Sequence, residues 1–307
     1  MRVKQFFARP FPISWFHPRC RAPLAVRLGA VAEWRLSRIR LGKLALKPRS
    51  NLQYVTMASR AHWLLLRESL VSMHRSWASL PELVVISDGS WTKTEFDEAF
   101  DFLPESIRVL SPKEVLDPLA IQGQTQLVEL ARRHPLGLKL AGIILLGQER
   151  PTLFVDSDVL WFSDPSASLS SLQGTVGPAA AVESGATFNE TLARKFCPQI
   201  LNPPGINTGC VWLHGNLCEP GLLRHILDAA LEQPDHEFNE QTIIAIAVEL
   251  SGRRMPREIC LVEFNDAFAL GLRKPGREGF HARHYVRFMR HQFYRDALDL
   301  RKDFGRN

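Results

Sequence analysis

The residues of this chain best suited to chemistry lie in one short stretch, PTLFVDSDVLWFSDP, residues 151–165. Residues 152–155 are apolar or β-branched and read as a buried strand. Asp156 and Asp158 follow at its end, and an apolar run resumes at Val159. In extended chain, residues i and i+2 point to the same side. The two carboxylates can therefore converge on one cation while Ser157 turns away. A hard divalent ion, Mg²⁺ or Mn²⁺, takes one or two protein carboxylates and fills its other positions with water and substrate phosphates. Asp after a strand is also ordinary turn or cap chemistry, and a lone Asp-x-Asp has low specificity. Its place behind a strictly apolar strand sets the cation reading level with the turn reading.

Three further stretches carry polar groups at informative places. Residues 203–215, PPGINTGCVWLHG, set Asn207, Thr208 and Gly209 ahead of an apolar strand at 210–213. A glycine there lets a ligand approach the backbone closely. Glu240 and Gln241 open an amphipathic helix over 237–250, where an acid otherwise serves as first-turn chemistry. Residues 282–298 bring His284 and His291 together with Arg283, Arg287 and Arg290.

These groups need elements to position them. From residue 51 onward the pattern predicts strands at 52–58, 82–87, 107–110 and 152–155. Helices are predicted at 60–77, 92–103, 124–134 and 137–147. Such alternation predicts βαβ units, hence an α/β fold with a mainly parallel sheet flanked by helices. Ligands of open α/β sheets bind beyond the carboxyl ends of the strands. Ser59, Asp88 and Asp156 stand at three such ends.

In this order the motifs resemble the GT-A glycosyltransferases, in particular the family-8-like group that includes glycogenin and bacterial lipopolysaccharide sugar transferases. The matching segments are LFVDSDVLWFSDP, INTGCVWLHG, the Glu240-Gln241 pair, a late HYVRFMR and Lys139 ahead of the acids. Arg287 stands where the family has glycine, and His291 is the rival of His284. The resemblance spans about residues 51–291 and implies a GT-A, Rossmann-like sheet. It implies a nucleotide-diphosphate-sugar donor, a UDP-sugar above all, and a divalent metal, usually Mn²⁺, held by Asp156, Asp158 and His284. Lys139 and Arg290 would face the diphosphate. Ser59, Asp88, Thr208 and Gly209 would line the nucleotide, and Asn207, Glu240 and Gln241 would sit at the reacting sugar. The implied activity is hexosyl transfer with retention of configuration, to a glycan or lipid-linked glycan.

Other classes fit less well. A nucleotidyltransferase would carry a Gly-rich basic loop after the first strand, and TMASRAHW has no glycine. A metal-dependent hydrolase would want more His and Asp ligands. A non-catalytic nucleotide-sugar-binding relative would be expected to have lost one of the two acids.

The totals agree with a globular enzyme: 307 residues, 45% hydrophobic and 23% charged. No apolar run reaches the roughly 18 residues of a membrane span. Five scattered cysteines with no CxxC pair read as reduced thiols of a cytoplasmic protein. The first residues lack a clean apolar core and cleavage site, so they are not read as a signal peptide. Residues 1–50 carry a net +11 and the remainder −5. This predicts a basic N-terminal arm, 1–50, ahead of a GT-A domain, 51–307. Residues 23–47 interleave Arg and Lys with Leu, Val, Ile and Trp. That pattern suits a helix at the periphery of an anionic membrane, or one packed on the domain with a solvated basic face. No zinc-finger spacing or RNA-binding signature points to nucleic acid.

Overall fold

The computed structural model describes residues 23–104, 107–185, 187–262, 277–286 and 289–304. In chain order, α1 (Pro23–Arg38) precedes β1 (Arg49–Ala58), α2 (Trp63–Ser76), β2 (Leu80–Ser87), α3 (Lys93–Ala99) and β3 (Arg108–Leu110). Three helices follow, α4 (Pro112–Ile121), α5 (Thr125–Arg133) and α6 (Pro135–Glu149), and then β4 (Thr152–Val155) and β5 (Val159–Trp161). Next come α7 (Ser166–Gln173), β6 (Gly177–Glu183), α8 (Glu190–Phe196), β7 (Gly205–His214), α9 (Pro220–Leu231) and α10 (Asn239–Ser251). The last are β8 (Arg253–Arg254), β9 (Cys260–Val262), β10 (Ala282–His284) and α11 (Arg290–Phe304).

The chain divides into two compact units. The larger, Arg40–Glu263 with Arg277–His284, holds the whole sheet, in the order β3-β2-β1-β4-β7-β6-β9-β10-β5, with β8 beside β6. The predicted parallel half is present: β3, β2, β1 and β4 run the same way. The other half is mixed. β7 is antiparallel to both β4 and β6, and β5 is antiparallel to β10.

The sheet must curl. β4 and β5 are separated only by residues 156–158, yet β5 lies at the far end of the strand order. Helix α2 completes the curl. Ser72 Oγ accepts the Trp161 N–H at 3.0 Å, and Ser76 Oγ donates to the Trp161 carbonyl at 3.0 Å. Two serines one helical turn apart thus satisfy the backbone of an edge strand that would otherwise be open to pairing. The Trp161 ring packs at 4.9 Å on Trp77 and donates its N–H to Tyr54 on β1 at 3.3 Å. The two acids therefore sit where the chain folds back over its own sheet.

Helix α6 lies against the same sheet. A Cβ on Gly142 would meet Ile86 at 2.1 Å, and one on Gly147 would meet Leu213 at 2.6 Å. Bare backbone at these positions brings the helix close enough for Lys139 to reach the strand ends.

In the smaller unit α1 packs on α11. Its contact face is Ala25, Gly29, Ala32 and Leu36, at helical spacing; a Cβ on Gly29 would meet the His291 Cβ at 2.5 Å. The helix expected over 23–47 ends at Arg38. Beyond it the chain is tied down within the larger unit. The Leu44 N–H donates to the Phe102 carbonyl, and the Lys47 amine donates to the Trp77 carbonyl. Residues 1–22 of the expected arm, and Arg287, lie outside the described residues.

Candidate functional site

Asp156, Asp158 and His284 meet, each offering one ligand atom within 4.8 Å of the others. The His284 Nε2 is 3.1 Å from Asp158 Oδ1 and 3.7 Å from Asp156 Oδ2. Neighbouring ligands on an octahedral ion with bonds of about 2.1 Å stand about 3 Å apart. Two carboxylates and an imidazole gathered this closely are a donor set suited to a Mg²⁺ or Mn²⁺ ion. The register explains the meeting: His284 on β10 lies opposite Val159 on β5, the residue after Asp158. The turn is held by the Asp156 N–H donating to the Gly209 carbonyl at 2.9 Å. Burial opposes a charge on His284, but Asp158 and then Asp156 outweigh it and raise the ring's pKa to about 8.

The Asn-Thr-Gly stretch, expected as a loop ahead of a strand, is a bulge inside β7. Ala180 pairs with Val211 while Ala181 pairs with Asn207, so three residues of β7 stand out of the ladder with β6. Bulges re-aim side chains. Asn207 Oδ1 lies 2.9 Å from His284 Nδ1, and its Nδ2 donates to Glu183 Oε2 at 2.8 Å. Gly209 has its own reason: a Cβ there would stand 2.2 Å from the His284 ring. The glycine makes room for the imidazole.

Lys139, expected at the diphosphate, is buried beside two acids. Its Nζ sits 2.9 Å from Asp156 Oδ1 and 3.3 Å from Glu240 Oε1, and donates to the Thr208 carbonyl at 2.9 Å. Thr208 Oγ1 in turn donates to Glu240 Oε2 at 3.0 Å. Burial works against the Lys139 charge, yet Asp156 and Glu240 hold its pKa above the ordinary value. Burial raises that of Glu240, with Lys139 opposing. Glu240 and Thr208, expected beside the sugar and the nucleotide, are likewise buried and paired.

Ser59 and Asp88 follow Ala58 and Ser87, which are register partners at the carboxyl ends of β1 and β2. Ser59 Oγ is 3.2 Å from His62 Nδ1, and Asp88 Oδ1 accepts the Ser90 N–H at 3.0 Å. Both remain on the surface near the end of β4 that carries Asp156. Gln241 is half-buried and donates to the Thr187 carbonyl at 2.9 Å. Arg290 opens α11 in the smaller unit and His291 follows it there, packed against Gly29.

Glu183 escaped the sequence reading. It ends β6, is 8% exposed, and burial raises its pKa against the Asn207 hydrogen bond. The only signal was a strand of small residues, GPAAAVE, running into an acid.

No protein-family model and no curated protein sequence matches the chain. Solved structures do. Mouse xyloside xylosyltransferase 1, in its apo form, superposes with a TM-score of 0.52 at 14% identity, over 76% of this chain and 97% of that one. The galactosyltransferase LgtC, in complex with donor and acceptor sugar analogues, gives 0.52 at 12% identity, over 81% and 95%. Their curled mixed sheet with flanking helices is the one described above: the chain has the GT-A glycosyltransferase fold.

Proposed function

We propose that the protein is a metal-dependent glycosyltransferase moving a hexosyl group from a UDP-sugar to a glycan or lipid-linked glycan. The observation that carries this reading is the convergence of Asp156, Asp158 and His284 beyond the carboxyl end of β4. Similarity to xyloside xylosyltransferase 1 and to LgtC with its sugar analogues agrees with it.

A divalent ion held by these three residues would stabilise the charge of the departing nucleoside diphosphate. The chain's own groups do the rest. Lys139 holds Asp156 in place from within. Ser59 and Asp88 offer polar groups at the neighbouring strand ends for the nucleotide. Gln241, on the first turn of α10, presents its amide near the start of the helix that carries Glu240. Arg290 is the remaining cation assigned to the diphosphate. The family-8 resemblance brings retention of anomeric configuration with it, which the anomer of the product would report by NMR.

The test is UDP-sugar hydrolysis and transfer with and without Mn²⁺. Mn²⁺-dependent turnover is expected, and its loss in Asp158→Ala and Asp156→Ala. Near-normal turnover in either variant at saturating Mn²⁺ would make these acids turn residues.

We also propose a cytoplasmic enzyme held at an anionic membrane through α1. The helix exposes Leu24, Leu28, Val31 and Trp34 alongside Arg27, Arg35 and Arg38. No described helix is long and apolar enough to cross a membrane.

A further inference from the structure

The Asn207 amide is fixed from two sides. Its Nδ2 donates to Glu183 Oε2 at 2.8 Å, and its Oδ1 accepts the Gly209 N–H at 2.8 Å. Turning the amide over would set its NH₂ against an N–H donor and its oxygen against a carboxylate. Oδ1 is therefore the atom that faces His284 Nδ1, and that ring nitrogen carries a hydrogen to donate across 2.9 Å. The other ring nitrogen, Nε2, is the one turned toward Asp158 and Asp156.

We infer that Glu183 and Asn207 are positioning residues, a relay of Glu183, Asn207 and His284 that locks the imidazole in the tautomer whose Nε2 lone pair points at the divalent cation. This inference rests on the metal reading proposed above. Each member comes from a different strand: Glu183 ends β6, Asn207 stands at the bulge of β7, and His284 ends β10. All three are buried, so water does not compete for their hydrogen bonds. A ring N–H donated to a fixed acceptor sets the ring's orientation and raises the basicity of the ligating nitrogen. Asn207 thereby works behind the metal ligand rather than at the hydroxyls of a sugar.

Two measurements test the relay on the full-length, metal-free protein. The first is ¹⁵N NMR of the His284 ring at a pH of about 9, above its pKa of about 8, where the ring is neutral. The wild type is expected to hold the Nδ1–H tautomer. A neutral wild-type ring protonated on Nε2 overturns the relay whatever the variants do. The second is calorimetric titration with Mn²⁺ alone. Asn207→Ala is expected to bind about 10–100-fold more weakly, with its ring released to a mixture of tautomers. Asn207→Asp alone sets two carboxylates face to face and is expected to bind weakly too. In the Glu183→Gln/Asn207→Asp double variant the glutamine amide donates to one carboxylate oxygen, and the other accepts both N–H groups. Mn²⁺ affinity and the ring tautomer should then return toward wild type. A wild type that binds no Mn²⁺ removes the metal reading. A wild type that binds Mn²⁺, with an Asn207→Ala variant of equal affinity and unchanged tautomer, removes the relay alone. The same holds for a double variant no better than Asn207→Asp.

Discussion

The Lys139 amine stands 2.9 Å from Asp156 Oδ1, and only 3% of the Lys139 side chain is exposed. It serves two acids at once, the half-open Asp156 and the buried Glu240. A lysine in this position stabilises the site from behind. Removing one partner of a buried ion pair leaves the other uncompensated, at a cost of about 3–5 kcal/mol. Lys139→Met is therefore expected to lower the denaturant midpoint markedly, with or without nucleotide. Arg290→Ala should weaken binding of UDP more than of UMP. A Lys139→Met variant of wild-type stability would mean that the amine is a solvated charge after all.

Gly209 offers a sharper probe of the metal centre. A single methyl there would press on the His284 ring at 2.2 Å, and the ring is fenced by Asn207 and Asp158. Gly209→Ala is expected to push the imidazole off its position and weaken Mn²⁺ binding by about 10–100-fold, the range for disturbed ligand support. Secondary structure should persist, because the bulge already breaks the ladder with β6 at this point. Unchanged Mn²⁺ affinity would place His284 outside the ligand set.

The two acids were legible in sequence because they follow an apolar strand, and strand ends are where α/β sheets bind ligands; His284, at the end of the three-residue β10, stood out only through the resemblance of HYVRFMR to a family motif. The parallel half of the sheet was legible because its strands alternate with periodic helices. The mixed half was not. β5, β9 and β10 have three residues each, too few for a period. The bulge in β7 leaves no pattern, since INTGCVWLH reads equally well as a loop entering a strand. Lys139 was found, but its partners were not. Nothing in GLKLAGIILLG says whether its lysine points to solvent or to the two acids, one 17 residues on and the other about a hundred, that the fold brings beneath it. Glu183 needs a partner on another strand before it means anything.

The raised pKa of His284 sets opposite pH trends for stability and metal binding. Its folded value is about 8 against an ordinary 6.5. The group thus stabilises the metal-free fold fully below about pH 6.5, and that contribution, about 2 kcal/mol, fades as pH rises through 8. Mn²⁺ needs the deprotonated ring, so its apparent affinity should fall about tenfold per pH unit below 8 and level off above. His284→Ala should flatten both trends. Chemical denaturation and Mn²⁺ titration across pH 6–9 would read them, and a flat wild-type profile in both would mean that the ring is neutral throughout.

The last prediction concerns α1. By helical spacing Leu24, Leu28, Val31 and Arg35 form one stripe, flanked by Arg27, Trp34 and Arg38. Glu33, the only acid in the helix, lies on the other side. The Arg38 guanidinium rests 5.0 Å from the centre of the Trp34 ring. A face that mixes exposed apolar side chains with cations and no acid matches an anionic lipid surface, where each cation is worth about 1 kcal/mol, screened by salt. The opposite face, Ala25, Gly29, Ala32 and Leu36, is already spent on α11 within the smaller unit. Deleting the helix would therefore damage that packing, and point changes on the exposed stripe are the cleaner probe. Wild-type protein should sediment with vesicles rich in phosphatidylserine at low salt and release as salt rises. Leu28→Glu/Val31→Glu should stay in the supernatant with an unchanged melting profile. Equal sedimentation of the variant, or a wild type that ignores the vesicles at low salt, would return the stripe to an ordinary solvated face.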